Sequence, residues 1–133
     1  MDHIAIMKKS WKLIPKILSG EKKIESRWGV NKCAPWGKAK AGDTIYFKNS
    51  GEPITVKAKV LKVEQFENLT HQKIKEIINK INGDMAWAKN KHYCTLIYLT
   101  EVEEVKPFNI NKKGFGSAAA WLTIPNITKI KVV

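Results

Sequence analysis

Along most of the chain apolar positions alternate with polar ones, and only short stretches change to helical spacing. His3 to Met7 reads as a first strand, Lys22 to Trp28 as a second and Thr44 to Lys48 as a third. In the second, Lys23, Glu25 and Arg27 share one face while Ile24, Ser26 and Trp28 take the other. Gly29 to Gly42 is a loop rich in Gly, Lys and Pro, and Asn49-Ser50-Gly51-Glu52-Pro53 is a turn. Ile54 to Glu64 is a long strand in which Ile54, Val56, Ala58 and Val60 alternate with Thr55, Lys57 and Lys59. Its apolar phase then moves to Leu61 and Val63, which predicts a bulge of the kind that bends strands at barrel rims. Cys94 to Val102 is β-rich, and Thr128 to Val133 reads as a last strand.

Ile74, Ile77, Ile78 and Ile81 follow the i, i+3, i+4, i+7 rule and predict a helix over Thr70 to Ile81, capped by Thr70 and ended by Asn82-Gly83. Met85 to His92 reads as a further helical turn. A shorter helix follows Ser10 as N-cap, with Leu13, Ile14, Ile17 and Leu18 on one face and Gly20 as its stop. Pro15 requires that helix to start or bend near it. Strands interrupted by one or two helices predict an α+β fold, a small, partly open mixed β-barrel with flanking helices.

The length of 133 residues suits one domain over 1–133, and 44% hydrophobic residues suffice for a core without disulfide or metal staples. The stretch from Gly114 to Thr128, though free of charges, falls short of the ~18 apolar residues of a membrane span. At the N-terminus the basic pair Lys8-Lys9 follows a short apolar run, the wrong order for a signal peptide. With two cysteines, Cys33 and Cys94, the expected setting is a reducing cytoplasm, with no membrane partner.

Charge changes the picture most. Twenty-four Lys and Arg against 12 Asp and Glu give +12, which favours a polyanion partner, above all nucleic acid. Arg27 is the one arginine among those 24 cations, so the planar fork that lysine lacks is available at one place. A lysine-rich drift in composition is the bland alternative. The five tryptophans, Trp11, Trp28, Trp36, Trp87 and Trp121, are expected mostly in the core. Trp28 and Trp36 differ, since they flank a loop bearing Lys32 and Lys38, and aromatic and cationic groups interleaved in a loop can stack bases and hold phosphates.

Other motifs carry less. Gly114-Phe115-Gly116-Ser117-Ala118-Ala119 matches G-x-G-x-x-A without the strand and βαβ unit of a dinucleotide site, so it reads as a Gly turn into packed Ala118, Ala119, Ala120 and Trp121. Cys33, His92 and Cys94 lack a fourth zinc ligand, and Cys94 reads as a buried apolar residue. No cofactor is expected, and the common hydrolase and NTPase signatures are missing.

Gly20-Glu21-Lys22-Lys23-Ile24-Glu25-Ser26-Arg27 is the most informative segment. Read blandly, it is a solvated strand face with a Glu25–Arg27 salt bridge. Read functionally, it is a charged cluster at a barrel mouth, where Glu25 accepts hydrogen bonds from a base edge and Arg27 contacts phosphate or keeps Glu25 ionised.

The spacing G-x-K-x-x-E-x-R, here Gly20, Lys22, Glu25 and Arg27, resembles the signature of ASCH domains in the PUA-like superfamily of small β-barrels. Ile17-Leu18-Ser19-Gly20, Ala41-Gly42-Asp43-Thr44-Ile45-Tyr46-Phe47, Val56 to Val63 with Phe66, Pro107-Phe108 and Gly114-Phe115-Gly116 through Trp121 extend the resemblance over most of the chain. It implies a PUA-like pseudobarrel with a charged cleft, and RNA or a modified nucleobase as ligand. Some small ASCH proteins are amidohydrolases that deacetylate N4-acetylcytidine with a motif Lys, a Thr three residues later and a downstream Glu. Lys22 matches the Lys, Glu25 stands at the Thr position, and Glu64, Glu67 and Glu76 are the candidates for the Glu.

The sequence therefore leads to a nucleic-acid-binding module, with RNA the expected ligand. Lys22, Lys23, Lys32 and Arg27 would meet phosphates, Glu25 a base edge, and Trp28 or Trp36 a base face. The alternative is an amidohydrolase on an N-acylated nucleoside, with Lys22 and Glu25 as catalytic residues. A scaffold for an acidic protein is the third reading.

Overall fold

The computed structural model describes residues 1–116 and 118–132. Six strands, β1 (Asp2–Met7), β2 (Ile24–Gly29), β3 (Thr44–Asn49), β4 (Ile54–Phe66), β5 (Tyr93–Phe108) and β6 (Trp121–Ile124), form one sheet in the order β2-β5-β4-β3-β1-β6. The β1–β3 pair is parallel and the others are antiparallel. Two helices, α1 (Leu13–Ser19) and α2 (His71–Ile81), flank the sheet, so the expected α+β fold with a partly open, mixed sheet and flanking helices holds.

The sheet curls because its long strands are bulged. Register shifts interrupt β4 against β5 at three places, one of them between Val60 and Lys62. Leu61 is the residue left over there, and it is 60% exposed. The predicted bulge is present, but Leu61 turns outward and only Val63 returns to the core. The curl brings β2, at one end of the sheet, opposite β1 near the other. Arg27 on β2 spans this seam, donating to Ile6 O at 3.4 and 3.5 Å and to Ala120 O at 3.1 Å.

Local signals place the helices. Thr70 caps α2 by accepting from Lys73 N at 3.1 Å, and Asn82 closes it in the left-handed conformation. Gly20 ends α1 at φ 84°. Ser10 does not cap α1, however. It sits inside a 3-10 turn at Lys9–Trp11, and Lys12, at φ 54°, precedes the helix. Pro15 falls in the first helical turn, where its missing N–H has no intrahelical partner to lose. Leu13, Ile14 and Ile17 are buried by α1, whereas Leu18 points out.

The C-terminal part departs further from expectation. β5 runs on to Phe108, and β6, not expected as a strand, pairs with β1; of the segment expected to pack, Trp121 is buried, Ala119 is half-buried, and Ala118 and Ala120 are exposed. Instead of a strand from Thr128, a 3-10 turn occupies Ile127–Lys129, followed by a single bridge between Lys131 and Ile110. Val133, the end of that expected strand, lies outside the described residues, as does Ser117 of the glycine motif. Gly114 and Gly116 both have positive φ, as the Gly-turn reading requires. Of the five tryptophans Trp121 alone is in the core; Trp28, Trp36 and Trp87 are half-buried, and Trp11 is 45% exposed. Indoles are too large and too polar at Nε1 to be assigned to a core by count alone.

Candidate functional site

β2 is the terminal strand of the sheet, paired on one side with β5. Leu99 N donates to Lys23 O at 2.9 Å, so by antiparallel alternation Glu25 and Arg27 turn their backbone groups to β5. Ile24, Ser26 and Trp28 turn theirs to the free edge. A cavity of about 250 Å³ opens along that edge, lined by Lys22, Glu25, Ser26, Arg27 and Trp28. Ile6, Met7 and Leu13 form its apolar back, while Trp11, Trp87 and Lys91 complete the wall.

Glu25 is the distinctive group. It is 3% exposed, and Oε1 lies 3.6 Å from Arg27 Nε, close enough for an ion pair but not for a good hydrogen bond. Oε2 is buried with no hydrogen-bond partner among the described residues. An unmatched buried polar group costs about 1–3 kcal/mol, and more when charged. The solvated salt bridge of the bland reading is therefore not what forms. Burial pulls the Arg27 guanidinium below its ordinary pKa while Glu25 pulls it up, and arginine stays cationic throughout. Arg27 also lies 5.2 Å from the Trp121 ring centroid. Its fork thus acts as the latch of the seam as well as the counter-charge of Glu25.

Lys22 Nζ donates to Ile24 O at 2.9 Å and sits 5.5 Å from the Trp87 ring. That places its charge at the cavity mouth. Trp28 Nε1 donates to Ser26 Oγ at 3.0 Å, which fixes the indole beside the free edge. Trp28 and Arg27 also line a second, narrow pocket of about 40 Å³ with Trp36. Trp36 meets Tyr93 edge-on at 5.3 Å, and Lys32 Nζ lies 5.8 Å from both rings. Lys32 also pairs with Glu67 at 3.3 Å. Lys23 is exposed and lines neither pocket. The structure thus gathers Lys22, Glu25, Arg27 and Trp28 into one cleft, sets Lys32 and Trp36 next to it, and leaves Lys23 outside.

Trp11, Trp87 and Lys91 were not singled out from the sequence. Trp11 carried a signal, since Lys8-Lys9-Ser10-Trp11-Lys12 is a polar setting for a core indole. None of the candidate glutamates lines the main cavity. Glu64 binds Tyr98 and Lys80 across β4, β5 and α2, Glu67 pairs with Lys32, and Glu76 with Lys73.

The cysteines and His92 do not converge either. Cys94 is buried and its thiol is pushed up to about 12, so thiolate chemistry is closed to it near neutral pH, while Cys33 is exposed on the loop. Among the described residues no three His, Cys, Asp or Glu side chains are placed to share a metal ion. Among them, too, no helix is long and apolar enough to cross a membrane.

Comparison with solved structures decides the fold. The chain superposes on an ASCH protein from Zymomonas mobilis with a TM-score of 0.66 and 11% identity, over 92% of this chain and 87% of that one. The chain has the fold of an ASCH domain. Two single-residue variants of the Zymomonas protein give TM-scores of 0.68 and 0.69 at 10% and 11% identity, each covering 96% of this chain and over nine-tenths of its own. No family model matches the sequence, and no curated protein matches it. At this identity the shared ASCH fold is a statement about architecture. What the cleft does must come from its own residues.

Proposed function

We propose that the cleft binds an unpaired base of a nucleic acid, in the first place RNA, with Glu25 reading the base edge. The observation that carries this is the buried Glu25 Oε2, unpartnered within a cavity walled by indoles. A ligand N–H group would satisfy that oxygen, and an exocyclic amine or ring N–H on a base edge is such a donor. At about 250 Å³ the cavity falls just below the ~300–1,000 Å³ of drug-sized sites, which suits one base and excludes a duplex. Trp28, Trp87 and Trp11 offer stacking surfaces, and Lys22 and Lys91 offer charges for the sugar-phosphate backbone. The RNA preference rests on the resemblance of the Gly20-to-Arg27 motif to ASCH domains.

The test compares matched single- and double-stranded RNA and DNA across a salt series, for the wild type and Glu25→Gln. The expected result is a preference for single-stranded RNA, with log K falling by roughly 0.7 per decade of salt for each phosphate neutralised. Glu25→Gln should weaken binding at least about tenfold, since a hydrogen bond to a charged group contributes about 1.5–3 kcal/mol. Equal affinity of Glu25→Gln and wild type would remove Glu25 from base recognition. Release of acetate from N4-acetylcytidine by the wild type, lost in Glu25→Gln, would move the reading to the amidohydrolase.

A further inference from the structure

We infer that the site takes two consecutive nucleotides of a single strand, the second base seated in a neighbouring cavity and the linking phosphate held at Lys22. This rests on the base-binding reading above and extends it. A cavity of about 330 Å³ adjoins the first and shares Trp11, Leu13, Lys22 and Trp87 with it. The shared residues form a partition. Trp11 and Trp87 stand 6.1 Å apart at 39°, and Lys22 Nζ lies 5.5 Å from the Trp87 ring. Two base-sized spaces on either side of an indole pair, with a cation at the divide, match two splayed bases joined by one phosphate.

The second cavity has its own polar groups. Asn82 and Asp84 follow α2, while Lys16 and Glu21 come from α1 and the turn after it. An amide and carboxylates can pair with a base edge, and Lys16 adds a charge for the outgoing strand.

The partition is also built against the ordinary preferences of the fold. Trp11 is 45% exposed, although burying an indole would favour folding. The residue that redirects the chain after it, Lys12, is a non-glycine at φ 54°, a conformation costing roughly 1–2 kcal/mol. On the other side, Gly83 lets Trp87 seat closely, since a Cβ there would lie 2.8 Å from the ring.

The experiment measures a ribonucleoside monophosphate, ribodinucleotides and a single-stranded octamer against wild type, Glu25→Gln and Lys16→Glu. Stacking of a second base contributes about 1–3 kcal/mol, so the dinucleotides should bind roughly five- to hundredfold tighter than the mononucleotide. Lys16→Glu, an exposed position, should keep its melting temperature and shrink that ratio several-fold. Trp11→Ala should shrink it as well, and provides the check should Lys16→Glu fail to fold. Equal binding of mono- and dinucleotide, both lost in Glu25→Gln, would leave the base-binding reading standing and overturn the second seat. No binding of any of the three by the wild type would overturn both.

Discussion

His3 shows how one buried polar residue holds two ends of the chain. It is fully buried on β1, with Nε2 2.7 Å from Asp43 Oδ2 and Nδ1 receiving Trp121 Nε1–H at 3.3 Å. Nδ1 also lies 3.0 Å from Thr123 Oγ1, so both ring nitrogens are held by hydrogen bonds. Burial pushes the Asp43 carboxyl up, but hydrogen bonds from His3, Lys40 N–H and the Met1 amino group outweigh it and hold the carboxyl below its ordinary value. The sign of the linkage follows. A depressed carboxylate contributes stability that is fully present above the unfolded pKa of about 4 and is lost as pH falls through the lower folded value. Asp43→Asn should therefore melt below the wild type at pH 7. The gap should narrow as the pH drops below about 4, as thermal melts along a pH series would show. A gap that stays constant down to pH 2.5 or so would remove Asp43 from the acid dependence.

At the scale of elements, the joint between α2 and the following turn at Met85–Ala88 sets the wall of the cleft. Asp84 Oδ1 accepts from Ala86 N at 2.8 Å and starts that turn, and Gly83 leaves room for the Trp87 ring. Gly83→Ala would put a methyl 2.8 Å from Trp87 Cζ3 and 3.1 Å from Ile81 Cγ1. The ring must move, and overpacking of this kind costs typically 1–3 kcal/mol. The expected outcome is a melting temperature lower by a few degrees and, on the proposed function, a several-fold loss of single-stranded RNA affinity, read by calorimetry and titration. Unchanged affinity would separate Trp87 from the ligand. The joint was readable from the sequence in part. Thr70, the Ile74–Ile81 spacing and Asn82-Gly83 are local signals, and each did what its chemistry requires. Leu61 and Leu18 were misplaced because alternation and helical spacing name a face but do not say which residue a bulge expels or where a short helix runs past the core. β6 was missed because its four residues pair with β1, more than 110 positions earlier in the chain, and nothing local marks them.

On the scale of the whole molecule, the cleft exists because the curled sheet is fastened across its seam. The motif spacing pointed to Glu25 and Arg27, but not to their burial or to Trp11, Trp87 and Lys91, which arrive from turns far away in the sequence. A charge of +12 gives a reason for polyanion affinity without placing it, since most of the lysines lie outside the cleft. The lone arginine is better explained by the seam. Its fork reaches Ile6 O and Ala120 O together while the Nε side faces Glu25, and a lysine ammonium cannot present donors in that geometry. Arg27→Lys should therefore lower stability, by an amount on the order of the 1.5–3 kcal/mol of a charge-assisted hydrogen bond, and Arg27→Ala by more, since it also strands the buried Glu25 carboxylate. Adding Glu25→Gln to Arg27→Ala should recover part of that loss, and the recovery in a double-mutant cycle measures the pair. A simple phosphate contact predicts the opposite pattern. Arg27→Lys would then keep both the melting temperature and most of the affinity, because a point charge serves a phosphate nearly as well. A lowered melting temperature in Arg27→Lys, together with weaker binding, is what distinguishes a latch that holds the cleft in shape from a charge that only meets the ligand.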